Sequence, residues 1–217
     1  MITFLVSVKT MTKTDYENIT FDDVARFHGH VCPGLTIGYI AGKAGLEKIE
    51  SLRDVDEQIL VIVENDACGV DAIQVLTGCT LGKGNLIFKD YAKQAFTFVC
   101  RESGKAVRLA LRADFDSGKL VPEFPAVNEK IINKTATPDD IKKARELKMK
   151  ISDKMRELPV EDIFNITFVD IEIPEKARLF NSYKCDKCGE MVAESRTRVN
   201  NGKYVCIPCN EEYTRGW

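Results

Sequence analysis

This sequence lacks a long apolar run, a surplus of either charge and all but two histidines. Its longest stretch without Asp, Glu, Lys or Arg ends at Gly42 and is interrupted by Pro33 and several glycines, short of the ~20 apolar residues a spanning helix needs. No membrane span is expected. Lys and Arg number 31 against 33 for Asp and Glu, a net charge of -2, so there is no bulk cationic field of the kind that coats nucleic acid. Met1 to Lys9 lacks the basic start and small-residue cleavage site of a secretory signal and reads as a short strand or tail, which places the protein in the cytoplasm. Eight cysteines are too sparse for a disulfide scaffold, and four of them fall at metal-type spacing, as suits thiols that stay reduced. No internal repeat or low-complexity tract is found.

What is present is an ordinary soluble composition, 44% hydrophobic and 29% charged over 217 residues, long enough for one or two domains with a proper core. Pro33 suits a first helical position, and Leu35, Ile37, Ile40, Ala41, Ala44 and Ile49 follow at mostly helical spacing, predicting a helix to about Leu52. Gly34, Gly38 and Gly42 recur along it every four residues, a stripe explained by close approach of another element, in the same chain or in a second copy. A homodimer is expected on that basis. Gln58 to Val63 reads as a buried strand, followed by a polar loop at Glu64 to Asp66 and a helix over Val70 to Leu76. Further strands are read at Leu86 to Phe88, Phe96 to Cys100 and Ala106 to Leu111, the last two as a hairpin, and at Phe164 to Asp170. Thr137, Pro138 and Asp139-Asp140 open a long charged helix that runs to Leu158. Pro174 to Ser182 reads as a linker between a core domain (residues 1–175) and a small C-terminal domain (residues 180–217).

Three constellations carry chemistry. Cys185-x2-Cys188, seventeen residues, then Cys206-x2-Cys209 is the spacing of a four-thiolate zinc site. So short a segment cannot hold itself together by apolar burial, so the metal supplies its folding free energy and the site is structural. Lys184, Lys187, Arg196, Arg198, Lys203 and Arg215 are compatible with nucleic acid, but Asp186, Glu190, Glu194, Glu211 and Glu212 dilute their field.

His28-Gly29-His30-Val31-Cys32-Pro33-Gly34 gathers both histidines and a cysteine at a helix start. Extended or helical, the stretch brings ligands to one side, and Cys32 at an N-cap would be favoured as thiolate. The third group is Asp66, Cys68 and Asp71 after the central strand, where α/β sheets commonly bind ligands. Gly82-Lys83-Gly84 reads as a tight turn or a weak anion site. Cys100 reads as inert packing. A core metal, zinc or another divalent ion, is therefore expected on a set drawn from His28, His30, Cys32 and Cys68. Asp66 and Asp71 are candidates to orient an imidazole, and Lys83 to face a small anionic or metal-bound ligand. Cys32, Cys68 and Asp66 are the catalytic candidates.

The His28-to-Gly34 motif, the Glu64-to-Asp71 stretch and Asp71-Ala72-Ile73-Gln74-Val75-Leu76-Thr77-Gly78-Cys79-Thr80-Leu81-Gly82-Lys83-Gly84-Asn85 together resemble the formylmethanofuran dehydrogenase E-subunit family, over roughly Phe21 to Arg112. Longer members of that family append a zinc-binding module. The resemblance implies an α+β fold, a thioredoxin-like core with a mixed sheet flanked by helices, here followed by a zinc ribbon or treble clef. It also implies a connection with methanogenesis, as an accessory to, or separate from, the molybdenum or tungsten enzyme, since no cysteine pattern for an iron–sulfur cluster is present. Two other readings stand beside it. One is a thiol oxidoreductase pairing Cys32 with Cys68 or Cys79, because Leu35 occupies the place of a resolving cysteine. The other is an adaptor or nucleic-acid-binding regulator acting through the zinc module.

Overall fold

The computed structural model describes residues 19–213 and 215. The chain forms two compact units, one ending at Lys176 and the other starting at Ala177. The strand or tail read at Met1 to Lys9 lies outside the described residues.

In the first unit, α1 (Phe21–His28) opens on a capping box. Thr20 Oγ1 accepts from the Asp23 N–H at 3.2 Å, and the Asp23 carboxylate accepts from the Thr20 N–H at 2.9 Å. This reciprocal pair satisfies donors that a helix start otherwise leaves orphaned, and it is a local signal for a helix absent from the expected elements. Gly29 ends α1 at φ 93°, its N–H on Ala25, a left-handed cap that costs glycine nothing. Three residues on, Cys32 caps α2 (Pro33–Lys48), with Pro33 inside its first turn. The predicted helix is thus four residues too long, because the chain turns at Glu50 with φ 53°.

Strand β1 (Ile59–Val63), α3 (Gly69–Thr77) and β2 (Leu86–Phe88) form a parallel crossover. Strands β3 (Ala95–Cys100), β4 (Ala106–Leu111) and β5 (Phe164–Phe168) add antiparallel neighbours, giving a mixed sheet in the order β2-β1-β3-β4-β5. Every β1 side chain is buried, as a central strand covered on both faces demands. On one face Val61, Phe96, Phe98 and Leu109 pack against Ile37 and Ala41 of α2 and against Ile151 and Met155 of α5 (Pro138–Glu157). On the other, Leu60, Ile62, Val99 and Ala106 are covered by Val169, Ile171 and Ile173, which alternate along the chain after β5. Two helices not read from the sequence complete the unit, α4 (Phe124–Ile132) and the single turn α6 (Val160–Ile163).

The glycine stripe is used within the chain. A Cβ at Gly38 would sit 2.1 Å from the Gly69 carbonyl oxygen of α3, and one at Gly42 would meet Leu76 at 2.8 Å. The close helix contact that such a stripe permits is therefore the α2–α3 crossing.

Immediately after β1, Glu64 forms a two-pronged ion pair with Arg108 of β4, at 2.7 and 2.9 Å. Its side chain is 9% exposed, and the Arg108 guanidinium holds its carboxyl below the ordinary value of 4.5 against the opposing effect of burial. A depressed native pKa contributes stability above the unfolded value and loses it as pH falls through the native one. Arg108→Ala is therefore expected to cost about 3 kcal/mol at pH 7, the low end for orphaning a buried charge. The gap to the parent should narrow below pH 4.5, where Glu64 can protonate. Urea midpoints across that range check this, and a constant gap would contradict it.

The second unit comprises two short antiparallel hairpins, β6 (Ser182–Lys184) with β7 (Met191–Ala193) and β8 (Thr197–Asn200) with β9 (Lys203–Cys206). Among the described residues no helix is long and apolar enough to cross a membrane.

Candidate metal centres

The core centre is made by a helix ending and the next one starting within four residues. His28 is the last residue of α1 and Cys32 the N-cap of α2, so the Gly29 turn between them folds His30 back over His28, ring centroids 4.5 Å apart. One ligand atom each from His28, His30 and Cys32 lies within 4.8 Å of the others. The Asp71 carboxylate, from the first turn of α3, accepts a hydrogen bond from His28 Nδ1–H at 2.7 Å. With a neutral ring, that bond places the proton on Nδ1 and leaves the Nε2 lone pair free for a metal. His28 Nε2 is buried and has no hydrogen-bond partner, a costly arrangement for a polar atom unless something binds there. Cys32 Sγ accepts from the Leu35 N–H at 3.3 Å. The donor set of two imidazoles and a thiolate suits zinc, and the carboxylate behind an imidazole is the usual support for a metal-bound histidine.

Cys68 stands outside that 4.8 Å circle but beside Cys32. Both sulfurs lie 3.9 Å from the point a Gly34 Cβ would occupy. Burial and the neighbouring Cys32 push the Cys68 thiol up. Asp66 is exposed in the loop beyond β1, whose shape is braced by Asn65: its Nδ2 donates to the Lys93 carbonyl at 2.7 Å and its Oδ1 accepts from Ala67 at 3.1 Å.

A cleft of about 470 Å³ opens beyond the carboxyl ends of β1 and β2, bordered by His28, Asp66, Cys68 and Asp71. These four are legible in the sequence as site candidates, whereas Gln74, Leu81 and Phe88, which also line it, are not. Nothing local marks them, since only the β1–α3–β2 crossover brings them together.

Two expected partners are absent from this place. Lys83 is tied to the wholly buried Asp54 side chain at 2.5 Å, so it faces a carboxylate of its own chain and not an anionic ligand. Burial pushes the Asp54 carboxyl up, but hydrogen bonds from Lys83 and the Ile59 and Glu57 N–H groups outweigh it and hold it below the usual range. The N–H groups of Lys83 and Gly84 in the glycine-flanked turn are taken by Thr80 and Leu81. Cys79 follows the other end of α3, where its thiol donates to the Ile59 carbonyl and burial pushes its pKa to about 12. Eleven residues from Cys68 along a helix of ~1.5 Å rise per residue, it is out of reach of Cys32. Cys100 pairs with Ile59, at the end of β1 away from the cleft.

In the second unit, Cys185, Cys188, Cys206 and Cys209 gather within 4.8 Å, with Cys188 and Cys206 sulfurs 3.9 Å apart. Four thiolates at ~2.3 Å around one zinc are ~3.8 Å from each other, so the spacing fits the ion. The N–H groups of Cys188 and Cys206 lower Cys185 to about 6, whereas hydrogen bonding to Cys206 and burial raise Cys209 to about 12. Without a cation the four sulfurs cannot all ionise at such close quarters.

Fold and sites define an α+β chain that joins a histidine–cysteine core to a four-cysteine module. Residues 27–165 match the family described as FmdE, molybdenum formylmethanofuran dehydrogenase operon, and the chain belongs to that family. Residues 178–215 match the prokaryotic dksA/traR C4-type zinc finger. An Archaeoglobus fulgidus protein described as a probable S-adenosyl-L-methionine-binding protein is 35% identical over 195 residues, covering 86% of this chain. The chain spans about half of that relative, 51% of its length. A solved structure described as a tungsten formylmethanofuran dehydrogenase FmdE-like protein from Syntrophus aciditrophicus shares the fold at a TM-score of 0.53 and 22% identity, covering 92% of this chain and 96% of its own.

Proposed function

We propose that this protein carries two metals, a structural zinc on Cys185, Cys188, Cys206 and Cys209 and a second divalent ion in the core on His28, His30 and Cys32, with Cys68 beside it. The orphaned, buried His28 Nε2 carries the core assignment. Such an ion would supply Lewis acidity or a water of lowered pKa. The chain's own groups do the positioning: Asp71 holds one imidazole, Gly29 turns the second towards it, and Cys32 is fixed by the helix it caps. The β1–α3–β2 crossover followed by the β3–β4 hairpin supports a thioredoxin-like description of the core.

The role follows as accessory to, or separate from, the molybdenum or tungsten formylmethanofuran dehydrogenase. Four of the eight cysteines serve the C4 module and Cys79 and Cys100 lie apart, which leaves Cys32 and Cys68, too few for a four-thiolate iron–sulfur cluster. Metal analysis of a substitution series tests the assignment. Two metals per chain are expected in the parent and one in His28→Ala or Cys32→Ser. Asp71→Asn should keep the fold but weaken the core metal about 10- to 100-fold in a chelator competition. A parent with one metal, unaffected by His28→Ala, would refute the core site.

The proximity of Cys68 to Cys32, both sulfurs beside Gly34, favours one second reading. In it the pair closes to a disulfide while a disulfide substrate is reduced to two thiols. Differential alkylation and mass spectrometry would then find a reversible Cys32–Cys68 crosslink, which a metal-holding Cys32 would resist.

A further inference from the structure

We infer that the cleft beside the core centre takes a small organic cation with an apolar body. The inference rests on the reading that this cleft serves the core metal site, and it names the ligand class. At about 470 Å³ the space is of the size that small-molecule sites occupy, roughly 300–1,000 Å³. Its walls are largely apolar, from Val63, Val70, Leu81, Leu86 and Phe88. Leu81 and Phe88 are 67% and 45% exposed, so a ligand's apolar body would cover them.

The charge on this lining has one sign. Asp66 and Asp71 contribute carboxylates, and neither Lys nor Arg lines the cleft among the described residues. Lys83, the cation that the sequence offers to an anionic ligand, is held by Asp54. In the N-terminal turn of α3 the Val70 and Asp71 N–H groups bond the Ala67 and Cys68 carbonyls, and Asp71 adds its own negative charge to that same turn. A divalent ion held by the Cys32 thiolate would be offset by the two carboxylates. An aromatic ring and two carboxylates around an apolar hollow are the elements that recognise an organic cation.

Calorimetric titration of the metal-replete chain with benzyltrimethylammonium, and with benzylsulfonate as an anion of similar size, tests this. The cation should bind saturably and about tenfold more tightly, as expected when two partly exposed carboxylates attract one probe and repel the other. Asp66→Asn and Phe88→Ala should each weaken the cation about threefold. Equal or tighter binding of the anion, no saturable binding of the cation, or indifference to both substitutions would overturn the inference. Metal content of the same samples separates the two failures: core metal present without the cation preference sinks only the ligand class, and core metal absent sinks the reading beneath it.

Discussion

Removing zinc from the C-terminal module is expected to unfold residues 177–217 while the core stays folded. The buried cluster of that unit consists of Cys185, Val205 and Cys206, with Val192 and Cys209 partly covered. One fully buried aliphatic side chain cannot offset the ordering of some forty residues, each costing about 1–2 kcal/mol of backbone entropy. The metal must do so, and sites of this kind supply roughly 10–16 kcal/mol. The core, by contrast, has its own sheet with Phe96, Phe98, Ile151 and Met155 wholly buried, and its proposed metal ligands lie in and beside helix ends outside that cluster. Hydrogen exchange read by mass spectrometry, on the parent with a strong chelator and on Cys206→Ser, should show peptides spanning Cys185 to Cys206 exchanging at once. Peptides from β1, β3 and β4 should remain protected. Loss of protection in both units at one chelator dose would contradict this.

The largest single-residue effect on the core is expected at Gly38. A methyl group there would lie 2.1 Å from the Gly69 oxygen and 2.5 Å from its Cα, and backbone cannot rotate away as a side chain does. Gly38→Ala must therefore push α2 and α3 apart, at about 3 kcal/mol or more, which lowers the melting temperature by roughly 6–12 °C in a unit of this size. Gly69 is the neighbour of Cys68, so core metal affinity should fall together with stability. Gly82→Ala is the control, since nothing stands within 4 Å of its added carbon. Its melting temperature should match the parent's, and a Gly38→Ala variant that melted with the control would show that the crossing yields cheaply.

Much of this protein is written locally. The two Cys-x2-Cys pairs define the C4 module because the ligand spacing of a zinc knuckle is short. Phe164 to Phe168 and the helix starting at Pro138 follow from alternation and capping, which act within a few residues. His28, His30 and Cys32 are likewise a local set, as the turn between two helices joins them. The helix α1 is equally local, its start signalled by Thr20 and Asp23.

What the sequence by itself determined, then, is which residues can bind metal and where helices and strands begin. The tertiary structure alone decided their company. Asp71 reaches His28 across 43 positions, Cys68 rather than Cys79 meets Cys32, and Lys83 is claimed by Asp54, 29 positions away. Each pairing depends on how α3 lies against α2 and on which of its ends faces the carboxyl edge of β1. That is settled by burial of β1 on both faces and by the backbone contact at Gly38 and Gly69. Such packing is a property of surfaces meeting in space, and no window of neighbouring residues contains it.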